Sequence, residues 1–310
     1  MRRTIHIIHA PINLGLRKHP DGKERGCGKL PEVLEQIGFH DSVKPHDVIK
    51  LSQPVYPAFE QYDDGALNGR PIASFSITLA DEVEKALERQ GFPLVLGGDC
   101  SVLIGSTLAL KRKGRYGLIH LDAHPDYYNK LNKDKAVVAG MDLALVSGKG
   151  TELLTNLENH RPYIRSRDVV SFGYREADPE QEIIQEATAD GITCWSAARV
   201  QKLGIEQVAD DVLTFISQTE VEGFWLHLDA DILDAAIMPC VDCPESEGLQ
   251  WDELTILLNR ILSSPKVIGM DVTILDPDLD IRHEVTRTFS ALLTKVLRVD
   301  SNPTRGSVRS

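Results

Sequence analysis

Short apolar runs alternate along this chain with longer stretches in which apolar residues recur at helical spacing. Runs of this length and composition are typical of buried strands, and the stretches between them are typical of amphipathic helices. Their alternation predicts an α/β fold in which a mostly parallel sheet carries helices on both faces. We predict strands at residues 4–9, 94–96, 117–121, 169–173, 224–228 and 267–272.

Four helices are predicted from the spacing of apolar residues. Leu79, Val83, Ala86 and Leu87 recur at helical spacing, and the pattern stops before Gly91. The same spacing predicts helices over residues 208–216 and 289–297 and a helix that opens at residue 251.

Three polar segments interrupt this alternation. Residues 40–71 are rich in Pro, Asp and Gly and are predicted to form a long surface excursion, and residues 127–136 a polar loop. We find no internal repeat and no domain boundary. The sequence therefore predicts a single catalytic domain over residues 1–300 and a disordered tail over residues 301–310.

Composition narrows the possible environments and partners. The chain has 310 residues, 42% of them apolar, and a net charge of −12, so it can bury a sizeable core and lacks the basic character of a nucleic-acid binder. The first apolar run is too short for a signal-peptide core or a membrane span. Five cysteines without a signal indicate reduced thiols and a cytoplasmic protein, and the Cys240/Cys243 spacing alone is a weak metal or redox signal.

Four predicted strands run directly into polar motifs. Ligands of parallel sheets bind outside the carboxyl ends of the strands, so these motifs should converge in one crevice. The motifs begin at Gly97 (Gly-Gly-Asp-Cys-Ser), Asp122 (Asp-Ala-His-Pro-Asp), Asp229 (Asp-Ala-Asp) and Asp271.

The spacing within two of these motifs predicts a metal centre. Residues two apart in extended chain point to the same side, so Asp122, His124 and Asp126 can face one point, as can Asp229 and Asp231. Four crowded carboxylates would repel one another unless divalent cations neutralise them. Carboxylates and an imidazole suit Mn²⁺ and similar ions, and two ions can share a hydroxide. The alternative is that these Asp residues only cap helices.

These motifs resemble those of the ureohydrolase family, which comprises arginases, agmatinases, guanidino-acid hydrolases and formiminoglutamases. The resemblance spans nearly the whole chain. It implies a three-layer α/β/α architecture around an eight-stranded parallel sheet, two Mn²⁺ ions and a homo-oligomer, a trimer or a hexamer. The residues that carry it are 97–101, 121–126 and 228–239, Cys243-Pro244, Gly248-Leu249, 9–15 and 173–179.

The resemblance also implies a ligand set and a mechanism. A hydroxide that bridges the two ions would attack a guanidinium or amidine carbon. Asp126 matches the residue that hydrogen-bonds this hydroxide and later passes its proton to the leaving amine. The implied ligands are position 100, Asp122, Asp126 and Asp229 for the first ion, and Asp122, His124, Asp229 and Asp231 for the second.

Cys100 departs from the family pattern, which has His at this position. One interpretation is a thiol that no longer binds, which would leave the first site weak or empty. The other, which we favour, is a thiolate ligand. Because thiolate is a soft ligand, Cys100 would then shift the metal preference from Mn²⁺ towards Zn²⁺ or Fe²⁺.

Two further departures concern the substrate and the proton shuttle. Ile274 stands where the family has a guanidinium-binding Glu, and an apolar side chain cannot form that bidentate ion pair, which argues against arginine itself. Ala139 stands where arginases have a proton-shuttle His. His227, two residues before Asp229, is our candidate catalytic replacement, and a buried structural His is the alternative.

Three residues match substrate-binding positions of the family. Cys243 corresponds to a Thr that lines the guanidinium pocket. Glu176 and Asp178 correspond to acidic residues that hold the α-amino end of amino-acid substrates, although both could equally be surface residues of a turn.

The sequence therefore predicts a metal-dependent amidinohydrolase that cleaves a C–N bond of a small guanidino, hydroxyguanidino or formimino compound. Its substrate would be a small cationic or amidine-bearing molecule, with no nucleic acid or membrane as partner. The alternative is a degenerate, non-catalytic arginase-like protein that binds or regulates. Cys100, Ala139 and Ile274 favour this alternative, and the retained Asp/His cluster opposes it.

Overall fold

A computed structural model describes residues 3–128, 137–176 and 181–298. Eight strands form one sheet, and every pairing within it is parallel. The strands are β1 (Ile5–His9), β2 (Asp47–Lys50), β3 (Phe92–Leu96), β4 (Gly117–Leu121), β5 (Val169–Phe172), β6 (Thr193–Trp195), β7 (Phe224–Asp229) and β8 (Val267–Thr273). Their order in the sheet is β2-β1-β3-β8-β7-β4-β5-β6.

Eleven α-helices occur in the described part of the chain, and an antiparallel pair of two-residue strands, Tyr62–Asp63 and Ala66–Leu67, lies apart from the sheet. Each of these helices is too short or too polar to span a membrane. The helices are α1 (Leu30–Gln36), α2 (Phe39–Val43), α3 (Gly69–Glu88), α4 (Val102–Lys113), α5 (Asp142–Val146), α6 (Glu152–Thr155), α7 (Gln181–Ala189), α8 (Ala197–Leu203), α9 (Ile205–Gln218), α10 (Trp251–Ser263) and α11 (Glu284–Leu297).

The strands supply side chains alternately to two apolar cores, one on each face of the sheet. In β7, Phe224, Leu226 and Leu228 pack into one core with residues of α1, α2 and α9–α11, and Trp225 packs into the other with residues of α3–α6. Period-2 alternation of this kind requires cover on both faces. The predicted three-layer α/β/α architecture and the eight-stranded parallel sheet are confirmed.

The structure differs from the predicted elements in two places. Strands β2 and β6 were not predicted, because both are short, lie at the sheet edges and are only partly buried, so they lack an apolar run. The segment predicted as a surface excursion over residues 40–71 is mostly exposed or half-buried, but it is not a single loop, since it contains part of α2, β2, the two-residue strands and the start of α3. The predicted tail lies outside the described residues.

A tight loop after β3 places Cys100 at the carboxyl edge of the sheet. Gly98 has a φ of +85°, and a Cβ atom there would lie 2.7 Å from the carbonyl oxygens of Ala10 and Ile12. Only glycine combines this backbone conformation with so close an approach. The loop after β3 is therefore pressed against the loop after β1.

Replacing Gly98 by Ala is expected to lower the free energy of unfolding by about 3 kcal/mol or more, because left-handed strain and a backbone clash add together. Gly22→Ala is the matched control, since Gly22 has a φ of +84° with no atom within 4 Å of the added Cβ. That control should lose only about 1 kcal/mol. Urea unfolding of both variants measures the difference, and equal losses would contradict the close-packing explanation.

Candidate metal centre

Three of the four polar motifs converge at the carboxyl edge of neighbouring strands. Cys100 follows β3, Asp122 follows β4, and Asp229 ends β7, and β3, β8, β7 and β4 are consecutive in the sheet. The fourth motif does not join them. Asp271 lies inside β8 with no exposed surface and accepts hydrogen bonds from Trp225 Nε1 (2.6 Å) and His227 Nδ1 (2.5 Å). The expectation that Asp271 lines the crevice was therefore wrong.

Asp122, His124 and Asp231 form one compact group. His124 Nδ1 lies 2.9 Å from Asp231 Oδ2 and 3.6 Å from Asp122 Oδ1. Backbone amides orient the carboxylates, because Ala123 N donates to Asp231 Oδ1 (3.0 Å) and His124 N donates to Asp122 Oδ1 (2.7 Å). One donor atom from each of the three residues falls within 4.8 Å of the others, which is close enough to hold one ion.

Cys100, Asp122 and Asp229 lie in a second buried group, which also contains His227. Cys100 Sγ donates a hydrogen bond of 2.9 Å to Asp229 Oδ2. Asp126 is 5% exposed and approaches Cys100 and Asp122 in two separate groups, but it shares none with Asp229. All six predicted metal ligands thus belong to these neighbouring groups, although in the described residues neither Asp126 nor Asp231 shares a group with Asp229.

The electrostatics of the cluster favour bound cations. Burial, and then the charge of Asp122, raises the pKa of Asp126, while burial and Asp231 raise that of Asp229. Burial and the neighbouring Asp229 likewise raise the pKa of the Cys100 thiol. One oxygen of Asp122 is buried without a hydrogen-bond partner in the described residues. Divalent ions would replace these protons, so the residues present fit such ions.

The crowded carboxylates also shift the pKa of His124. Burial lowers its pKa, but hydrogen bonds and charges from Asp122 and Asp231 outweigh burial and raise it. A proton on His124 therefore neutralises carboxylates where a cation would otherwise do so. Imidazole binds metals in its neutral form, so ion binding here would release a proton.

The cluster forms the floor of a cavity of about 470 Å³. Its wall carries both acidic and basic side chains. Cys243, predicted to bind substrate, lies on this wall, as do Ala139 and Ile274. The charged residues on the wall, in addition to the metal ligands, are Arg17, Arg25, Asp242 and Glu245.

The other predicted site residues lie elsewhere. His227 is fully buried beneath the cluster and does not line the cavity, which favours the structural alternative over a catalytic one. Although burial lowers its pKa, Asp271 outweighs burial and raises the pKa of His227 to about 9. Glu176 lines a separate depression with Tyr174 and Trp195. Asp178 lies outside the described residues.

Four charged residues of the cavity wall were not predicted from the sequence. Asp242 and Glu245 flank Cys243 inside the third family block, and this position was a signal that could have identified them. Arg17 and Arg25 come from the irregular segment after β1, which follows no periodic pattern. No sequence signal would have identified Arg17 and Arg25 as cavity residues.

Comparison with known proteins agrees with this geometry. The model of the arginase family matches residues 3–297. The arginase of Bacillus caldovelox is 28% identical over 299 residues (94% of this chain and 97% of that one), and the arginase of Brevibacillus brevis is 30% identical over 303 residues (96% and 98%).

Solved structures give the same result. The native structure of the Bacillus caldovelox arginase has a TM-score of 0.84 at 26% identity and covers 96% of this chain and 99% of its own. The formimidoylglutamase of Bacillus subtilis shares the fold, with a TM-score of 0.70 at 19% identity and coverage of 94% and 85%. The chain therefore belongs to the arginase family of hydrolases.

Proposed function

We propose that this chain is a metal-dependent hydrolase that cleaves a C–N bond of a small guanidino, hydroxyguanidino or formimino compound. The observation that carries the proposal is the cluster of Asp and His donors on the floor of a charged cavity. Folding alone does not demand such a cluster, because buried carboxylates are costly unless they are paired or bind a metal.

We propose that the cluster holds two divalent ions. Cys100, Asp122, Asp126 and Asp229 would hold the first, and Asp122, His124, Asp229 and Asp231 the second. When bound, such ions lower the pKa of water and polarise the bond to be cleaved. The oxygen and nitrogen donors of the second site suit Mn²⁺, and the Cys100 thiolate makes Zn²⁺ or Fe²⁺ competitive at the first.

Asp126 is proposed to move the proton in the reaction. Its carboxyl group lines the cavity, where it can take a proton from water and give it to a leaving amine.

The cavity wall supports a substrate with charges of both signs. Asp242 and Glu245 are placed to attract a cationic amidine group, and Arg17 and Arg25 to attract an anionic end. Cys243 is proposed to contact the substrate at the same wall. The proposed role of Glu176 requires a substrate that extends beyond the cavity. We further propose, from the resemblance, a cytoplasmic homo-oligomer.

A panel of guanidino, hydroxyguanidino and formimino compounds, scored for urea, hydroxyurea, formamide and ammonia, tests the proposal. We expect turnover of at least one hydroxyguanidino or formimino compound and poor turnover of arginine, because Ile274 offers no charge to a guanidinium. Strong arginine hydrolysis would contradict the inference from Ile274. Binding without turnover of any member, in protein loaded with metal, would favour the non-catalytic alternative.

Ile274→Glu is expected to raise kcat/KM for guanidino compounds by about 10- to 100-fold, since one charged hydrogen bond contributes about 1.5–3 kcal/mol. Ile274 lines the cavity with a φ of 69°, which a β-branched side chain tolerates poorly. Ile274→Gln is the matched control, because it relieves the same strain without adding charge. Equal gains in the two variants would show that strain, and not charge, limits the wild type.

A further inference from the structure

A second polar cluster lies beneath the metal ligands, between the sheet and α5. It consists of His120 on β4, His227 on β7 and Asp142 at the start of α5. All three side chains are fully buried, and none of them lines the cavity. The donor atoms of the three fall within 4.8 Å of one another.

The atoms that face one another in this cluster lack hydrogen-bond partners among the described residues. They are Nε2 of both imidazoles, both carboxylate oxygens of Asp142, and Oδ2 of Asp122 above them. His120 Nε2 lies 3.5 Å from Asp142 Oδ1 and 3.7 Å from Asp122 Oδ2, and His227 Nε2 lies 3.6 Å from Asp142 Oδ2. These separations are too long for hydrogen bonds, and buried polar atoms in folded proteins are seldom left without a partner.

The Nδ1 atom of each imidazole lies next to a polar side chain on a neighbouring strand. His227 Nδ1 is bonded to Asp271 at 2.5 Å, and His120 Nδ1 lies 3.3 Å from Ser171 Oγ. The two ring centroids are 4.9 Å apart, and both Nε2 atoms lie within 3.6 Å of an Asp142 oxygen, so they face the same space. Histidines that bind metals are oriented by a carboxylate or hydroxyl on the far nitrogen in this way.

The separations suit an ion better than a water molecule. Two ligands about 2.1 Å from one ion at a tetrahedral angle lie about 3.4 Å apart. Two partners of one water, each about 2.8 Å away, lie about 4.6 Å apart at the same angle. The observed 3.5–3.7 Å is closer to the first value.

We propose that His120, His227 and Asp142 bind a third divalent ion, with Asp122 Oδ2 as its fourth ligand. Two imidazoles and two carboxylates favour Zn²⁺ or Fe²⁺ over Mn²⁺. This ion is separate from the two of the proposed function. It would neutralise Asp142 and fix the oxygen of Asp122 that points away from His124. His227 would then act as a ligand and not as a proton shuttle.

Zinc content after brief exposure to a chelator tests the stoichiometry, because ligands of both upper sites line the open cavity whereas His120, His227 and Asp142 do not. We expect wild-type protein, expressed with added Zn²⁺, to retain one ion per chain. Asp142→Asn should retain none. Asp231→Asn, which damages only the upper cluster, should retain one. His40→Asn is the matched control for a buried imidazole, since His40 Nε2 is paired with His9 Nε2 at 2.8 Å, and it should also retain one.

Crystals of the zinc-loaded wild type test the position and do not depend on any variant folding. An anomalous difference peak at the zinc edge, within bonding distance of both Nε2 atoms and of Asp142, supports the proposal. Zinc at the upper ligands without a peak here overturns it and leaves a protonated His227 that bonds to Asp142. A peak here in a protein that turns over no panel compound would refute the proposed function alone.

Discussion

Asp126→Asn is expected to lower kcat by about 10²- to 10⁴-fold on any substrate that the panel identifies. Asn keeps an oxygen that can bind an ion but has no proton to transfer. The loss should therefore fall on kcat, with KM, metal content and unfolding free energy close to those of the wild type. Steady-state kinetics at saturating metal, together with metal analysis, measure this separation.

Asp168→Asn is the matched control for replacement of a buried carboxylate. Asp168 is 1% exposed and accepts hydrogen bonds from Arg115 at 2.7 and 2.8 Å, away from the cavity. Its replacement should cost stability and leave kcat unchanged. Unchanged turnover in Asp126→Asn would remove the proton-transfer role, and a parallel loss of bound metal would reassign Asp126 as a ligand only.

Cys100→His is expected to raise Mn²⁺ affinity at the first site by more than about 100-fold relative to Zn²⁺, since even changes beyond the direct ligands alter affinity by 10- to 100-fold. The substitution replaces a soft, anionic ligand by a neutral imidazole next to Asp229. Equilibrium dialysis with Mn²⁺ and Zn²⁺ in competition measures the ratio.

Cys100→Ser separates the two interpretations of this cysteine. If the thiolate is a ligand, the serine variant should lose Zn²⁺ from the first site, because a hydroxyl binds weakly and is not deprotonated. If Cys100 does not bind, serine and cysteine should give the same occupancy. A serine variant indistinguishable from the wild type would thus show that the first site is weak in the natural chain.

Residues that follow a buried strand were the predictable part of the site. Asp122 and Asp229 each come directly after an apolar run, and the parallel sheet dictates that such positions meet. The hydrophobic pattern therefore predicted both the sheet and the floor of the cavity. Strand β2, with an edge position and partly exposed side chains, carried too weak a pattern to be recognised.

Contacts set by the path of irregular chain could not be predicted in the same way. Asp142, at the start of α5, lies next to His120 and His227, and no local periodicity in the sequence predicts that position. Glu176 was predicted to bind substrate because its motif matches the family, but it lines a separate depression. A motif match identifies a position in the sequence and does not determine which way its loop faces. The left-handed conformation of Ile274 was equally invisible, because β-branched residues rarely adopt it.

The strand order determines which parts of the chain supply each proposed metal site. Strand β8, the last of the eight along the chain, lies between β3 and β7 and pairs with both. In the described sheet, β8 is the strand that joins β2-β1-β3 to β7-β4-β5-β6, and Cys100 belongs to one half and Asp122 and Asp229 to the other. The proposed first metal site therefore depends on β8, which holds the two halves side by side, whereas all four proposed ligands of the second site come from the half that contains β4 and β7.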